Sequence, residues 1–131
     1  MSDLLNAKKL FEKGIREFSN NNYILAKQSF KDALKIVPER ISVLENLALV
    51  YFIMNEFEDA EIILKKIGNL GKHTDKSFEM MINSLRKQGK VFELKNFIED
   101  EFKKKKLSPK YYILKEFIYH NFFNNNKKII F

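Results

Sequence analysis

Three features of the sequence predict an all-α fold assembled from repeated pairs of helices. Turns that are rich in Asn or carry Gly recur at Asn20-Asn21-Asn22, Asn55-Glu56 and Gln88-Gly89-Lys90, 34 residues apart, and set units that begin at Ala7, Ile41, Asp75 and Pro109. Residue types recur with them: Leu10, Gly14, Ala26, Phe30, Ala33 and Pro38 hold positions 4, 8, 20, 24, 27 and 32 of the first unit, and Leu44, Ala48, Ala60, Leu64 and Ile67 follow in the second. Within each unit apolar residues fall three and four apart, the step that lines them along one helix face. Self-similarity at such a period marks units that bury their apolar faces by stacking on a neighbour.

The first helix is expected from about Asp3 to Ser19, with Ser2 or Asp3 as N-cap, and its partner from about Tyr23 to Val37, with Asn22 as N-cap. In that second helix Tyr23, Ala26, Phe30, Ala33, Leu34 and Val37 share an apolar face, while Lys27, Lys31, Asp32 and Lys35 fall on the other. Pro38 ends it, because proline has no N–H to continue the hydrogen-bond ladder. Helix three is expected over Ile41 to Met54 and helix four over Glu56 to Ile67. A loop from Gly68 to Thr74 follows, with Thr74 or Asp75 capping helix five.

Helix five covers Asp75 to Lys87 with Phe78, Met81, Ile82 and Leu85 inward, and helix six runs from about Val91 to Lys104 with Leu94, Phe97, Ile98 and Phe102 inward. Ser108 and Pro109 then suit the N-cap and first position of helix seven, which runs to about Phe123. It is the first half of a unit whose second half is nearly missing, and the chain finishes on Ile129-Ile130-Phe131. Three readings follow from that finish: a docked tail, a homodimer through the C-terminal helix, or a piece cut from a longer protein.

A chain of 131 residues that is 45% hydrophobic can bury one core, so a single domain over 1–131 is expected. The longest apolar run, Leu47 to Met54, is far short of the roughly 18 residues that a membrane span needs. The start, Met1-Ser2-Asp3, has no basic flank before an apolar stretch, and no cysteine is present; both point to a cytoplasmic protein. The net charge of +7 divides into +1 over residues 1–74 and +6 over residues 75–131. The basic half carries no motif for DNA or RNA, so nucleic acid is not the expected partner.

Catalytic chemistry finds no support in the residues. His73 is expected in a solvated loop and His120 at the surface or partly packed, with no spacing for a metal pair, and Gly14, Gly68, Gly71 and Gly89 form no phosphate loop. Glu58-Asp59 and Glu99-Asp100-Glu101 are expected on exposed helix faces. No cofactor, metal or small-molecule substrate is implied.

A 34-residue pair of helices with a small residue early, an Ala after the turn and a closing Pro resembles the tetratricopeptide repeat, over about residues 7 to 123. The resemblance implies a right-handed α-α superhelix, a solenoid of three helix pairs plus a terminal helix. Its repeats would cover about 7–40, 41–74 and 75–108, with a partial fourth over 109–131. The third unit departs from the pattern, with Ile82, Leu94, Glu101 and Lys106 at the places of the small residues and the proline.

In that family the first helix of each unit lines a concave groove that holds an extended peptide or a partner helix. The groove positions fall here on Lys8, Phe11, Ile15, Phe18 and Ser19, then on Ser42, Glu45, Leu49, Phe52 and Ile53. They continue with Lys76, Glu79, Asn83, Arg86 and Lys87, and with Lys110, Ile113, Phe117, His120 and Asn121. Members that clamp the terminal carboxylate of a chaperone use Lys and Asn in the first unit, Asn in the second, and Lys and Arg in the third. Those five places are Phe11, Ile15, Asn46, Asn83 and Lys87, of which only Asn46 matches, so that clamp is not expected.

The expectation is instead a groove that is apolar in the first two units, through Phe11, Ile15, Phe18, Leu49, Phe52 and Ile53, and basic in the third, through Arg86 and Lys87. Phe18 and Phe52 stand where the family places aromatics for packing, whereas Phe11 and Ile15 replace polar groups. The implied function is a non-enzymatic scaffold that binds a protein or peptide. The alternative is the N-terminal recognition arm of a longer enzyme, such as a glycosyltransferase or methyltransferase.

Overall fold

Six helices stand among the described residues of the computed structural model, which are 2–104 together with 112, 113, 116 and 120. They are α1 (Ser2–Ser19), α2 (Tyr23–Ile36), α3 (Ile41–Ile53), α4 (Phe57–Asn69), α5 (Asp75–Lys87) and α6 (Val91–Lys104). The expected seventh helix, its Pro109 start and the tail read as a dimer element fall outside the described residues. The exceptions are Tyr112, Ile113, Glu116 and His120, all exposed. No described helix is long and apolar enough to cross a membrane.

The period has a backbone cause. Asn21, Asn55 and Gly89 carry φ of 62°, 62° and 71°, the left-handed conformation, and they lie 34 residues apart. At each of them the chain closes a helix with the same pair of hydrogen bonds. Asn22 N–H reaches Glu17 O at 2.8 Å and Asn21 N–H reaches Phe18 O at 2.9 Å; Glu56 and Asn55 repeat this on Tyr51 and Phe52, and Lys90 and Gly89 on Leu85 and Arg86. This closure satisfies orphan carbonyls at a helix end, and it favours Asn or Gly because other side chains resist positive φ. The Asn and Gly turns of the sequence are therefore helix stops.

A ring contact repeats as well. Phe18 meets Tyr23 edge-on at 5.5 Å between centroids, and Phe52 meets Phe57 likewise at 5.0 Å. Each pair joins the last turn of one helix to the first residue of the next, which sets the angle of the hairpin.

Several local expectations need correction. Ser2 and Asp3 lie inside α1 rather than before it, and Asp3 serves as an acidic group in the first turn, favourable at the positive end of a helix. Asn22 sits at the N-cap of α2 but makes no capping hydrogen bond with its side chain. Of the two candidates before α5, Thr74 is the cap: Ser77 N–H donates to Thr74 Oγ1 at 3.2 Å and Thr74 N–H to Ser77 Oγ at 2.8 Å. That reciprocal pair is a capping box with Ser in the place of Glu.

α4 continues through Gly68 to Asn69, past the expected stop, and Gly71 at φ 68° closes it. His73 is not solvated. It is buried, with Nδ1 2.8 Å from Ser77 Oγ, and its ring lies where a side chain at Gly68 would stand, since a Cβ there would come 2.8 Å from Nε2. Glu101 is also buried, against the expectation of an exposed face. Its place in the third unit is that of Ala33 and Ile67 in the first two, both fully buried, so the register has prevailed over the side chain's chemistry.

The chain divides into two compact units, Met1–Ser84 and Leu85–Phe131. In the first, Ala26, Phe30, Ala33, Val43, Leu47 and Val50 form a buried cluster with Leu10, Phe11, Ile15 and Phe18 of α1 against it. Gly14 lets α1 approach α2, since a Cβ there would stand 2.5 Å from Cε1 of Phe30. Polar ties flank this core. Ser29 Oγ donates to Glu17 Oε1 at 2.6 Å, and Lys27 Nζ donates to Glu56 Oε1 at 2.9 Å while lying 5.6 Å from the Tyr51 ring centroid. Burial pushes the Tyr51 hydroxyl above its ordinary pKa, Asp59 adds to the rise, and Lys27 opposes it. In the second unit Leu94 and Ile98 of α6 are buried and Phe97 is half-buried, as their spacing predicts.

Candidate functional site

A cleft of about 370 Å³ opens in the first unit between the N-terminal half of α1 and the turn into α3. α1 contributes Leu4, Ala7, Lys8 and Phe11; the turn and α3 contribute Val37, Arg40, Ser42 and Val43. Helical spacing explains the first set, because positions 4, 7, 8 and 11 lie three and four apart on one face. Pro38 explains the second: it follows the last turn of α2 and forces the chain across the open side before α3 begins at Ile41.

The floor is apolar. Ala7 and Val43 are buried and Phe11 and Val37 half-buried, while Leu4 on the lip is 57% exposed. Phe11 is fixed from below by Phe30, at 5.8 Å between ring centroids and a 47° tilt. The rim carries two exposed cations, Lys8 and Arg40, and among the described residues no carboxylate lines the cleft. Among the described residues neither cation makes a salt bridge.

Arg40 occupies an unusual place, the N-cap of α3. Its backbone is extended, with φ −72° and ψ 111°, and its side chain makes no capping hydrogen bond. Its carbonyl accepts from Val43 N–H at 3.1 Å and Leu44 N–H at 3.0 Å. Ser, Thr, Asp or Asn in that place would stabilise a helix by about 0.5–2 kcal/mol relative to a residue that cannot cap. A cation there also faces the positive end of the helix, which is unfavourable by about 0.3–1 kcal/mol.

The expected groove residues divide into groups. Phe11, together with Lys8 and Ser42, lies in the cleft. Ile15 and Phe18 are half-buried against the core cluster, and Phe52 turns its ring to Phe57, so much of each is spent on packing. Leu49 is half-buried and Ile53 is 40% exposed. Asn46 donates from Nδ2 to the Ser42 carbonyl one turn earlier, at 2.7 Å. Asn83 is half-buried in the first unit; Arg86 and Lys87, in the second unit, are exposed. Leu4, Ala7, Val37, Arg40 and Val43 were missed as site residues by sequence reasoning. The signal available for Arg40 was the absence of any capping residue directly before Ile41.

Among the described residues no group of three or more His, Cys, Asp or Glu side chains could hold a metal ion.

Solved structures with the same architecture are tetratricopeptide repeat domains. The first such domain of Spaghetti (RPAP3), solved with the HSP90 peptide SRMEEVD, superposes with a TM-score of 0.71 at 20% identity, over 88% of this chain and 92% of that one. The Sgt2 domain of Aspergillus fumigatus gives 0.68 at 18% identity, over 87% and 77%. The first domain of human RPAP3 gives 0.69 at 20% identity, over 89% and 92%. No protein-family profile matches the sequence, and no curated protein does. The chain has the fold of tetratricopeptide repeat domains.

Proposed function

We propose that this chain is a protein-interaction module, without catalysis of its own, that takes a peptide or helix of a partner on the face formed by α1 and the start of α3. The observation that carries this reading is the cleft. Exposed Leu4 and half-buried Phe11 and Val37 leave apolar surface beside solvent over buried Val43, and apolar concavities of that kind mark interaction sites. The likeness to a domain solved with a bound peptide is consistent with this role.

The chemistry recommended by the residues differs from that of a carboxylate clamp. Phe11 and Ile15 stand at the places of two clamp donors, and both pack on the core, so neither can be traded for a charged hook without loss. Apolar contact is therefore the main source of affinity, with a helix-in-groove or extended peptide as the mode.

Photo-crosslinking in cells tests the reading. A benzoylphenylalanine at position 4 is expected to give a discrete protein adduct, and the same group in place of Ile24, 71% exposed at the start of α2, is expected to give none. Equal labelling from both positions would remove the case for a partner face at the cleft.

A further inference from the structure

The rim of the cleft says which partner suits it. We propose that the cleft takes an acidic amphipathic segment, with its apolar side chains on Leu4, Phe11 and Val37 and its carboxylates on Lys8 and Arg40. The inference rests on the reading of the cleft as the partner surface and adds the partner's charge.

Two independent observations point the same way. First, the cleft pairs an apolar floor with two exposed cations, and among the described residues no carboxylate lines it and neither cation forms a salt bridge. Glu39, the carboxylate next in sequence to Arg40, lines the shallow surface that continues outward over Pro38 and Ile41, and it makes no salt bridge with Arg40. A partner carboxylate would therefore meet two cations not already paired with a described carboxylate, beside an apolar surface whose burial on binding would strengthen the charge-assisted hydrogen bonds.

Second, Arg40 stands at the N-cap of α3, where local stability disfavours it. The amides of Ile41 and Ser42 have no intrahelical acceptor, as at every helix start, and Arg40 supplies none from its side chain. In the free protein, a cation and the positive end of a helix thus lie together with no carboxylate paired to the cation among the described residues. A carboxylate seated there would pair with the guanidinium, which presents a planar fork of donors, and would also lie favourably at the helix end. Positions at which a local rule is broken are where function is expected to have set the residue.

This arrangement gives a test in which binding and stability move in opposite directions. Random 16-residue peptides are displayed with their C-termini fused, so that no free terminal carboxylate is available, and are selected on the full chain. The enriched peptides are expected to combine Asp or Glu with Leu, Ile or Phe and to carry net negative charge. Synthesised, they should lose at least about tenfold in affinity against Arg40→Asp and against Lys8→Glu, and should weaken as salt rises. Arg40→Asp should at the same time raise Tm by about 4 °C by supplying a cap, so the loss cannot be ascribed to unfolding. Arg40→Gln, which removes the charge without adding a strong cap, should lose affinity with little change in Tm.

Enriched peptides that are neutral or basic, or that bind both charge-reversal variants as well as the parent, would overturn the acidic partner while leaving the apolar surface standing, provided Leu4→Asn still weakens them. Selection of no peptide that is sensitive to Leu4→Asn would overturn both.

Discussion

Phe30→Ala is expected to destabilise the first unit by about 3–5 kcal/mol, the range for removing a buried aromatic side chain. Phe30 is fully buried at the centre of the cluster formed by Ala26, Ala33, Val43, Leu47 and Val50. It also supports Phe11 from below, so its loss would leave a cavity under the floor of the cleft. Against a total stability of about 5–15 kcal/mol, this removes a large share and leaves the variant marginal at 37 °C. Urea unfolding followed by circular dichroism measures it: the midpoint should fall with the slope nearly unchanged. A loss below about 1 kcal/mol, the typical effect of an average substitution, would show that Phe30 is not the centre of packing.

Gly14→Leu is expected to cost about 3 kcal/mol, at the upper end for overpacking a filled core. The reason is local and steric. A Cβ on Gly14 would stand 2.5 Å from Cε1 and 2.8 Å from Cδ1 of Phe30, a rigid and fully buried ring. Glycine inside a helix is itself unfavourable by about 1 kcal/mol relative to Ala, so its presence in the middle of α1 is explained by the close approach of α2. Combining Gly14→Leu with Phe30→Ala returns volume to the cavity. The double variant should therefore be more stable than the sum of the two losses, which a double-mutant cycle reads directly. Strict additivity would mean that the two positions do not touch.

Much of the fold was legible in the sequence because its punctuation is chemical. Asn21, Asn55 and Gly89 take positive φ, Pro38 stops α2, and Thr74 caps α5; each residue type announces its backbone role. The apolar faces of α2 and α5 were legible for the same reason, since helical spacing alone places Ala26, Phe30, Phe78 and Leu85 inside. What was not legible depends on neighbours. Glu101 is buried because the repeat register carries that position inward, and His73 because Gly68 leaves room for its ring; neither fact is contained in the residue itself.

The candidate site was legible in part. Lys8, Phe11 and Ser42 were found as groove positions implied by the repeat, and they do lie in one cleft. Leu4 precedes the first repeat, and Val37 and Arg40 lie in its connecting turn, so a template that scores helix positions passes over all three. Phe18 and Phe52 stand where the repeat places aromatics for packing, and their edge-on contacts with Tyr23 and Phe57 at the hairpins fit that role.

Whether the α1/α3 cleft is the partner surface is read residue by residue from amide chemical-shift mapping of the labelled chain titrated with the tightest selected peptide. The largest shifts are expected at Leu4, Lys8, Phe11, Arg40, Ser42 and Val43, with Ile24 and Leu25 on the exposed start of α2 staying in place. Shifts concentrated at Ile24 and Leu25, with the residues of the cleft unmoved, would contradict a partner surface at the cleft.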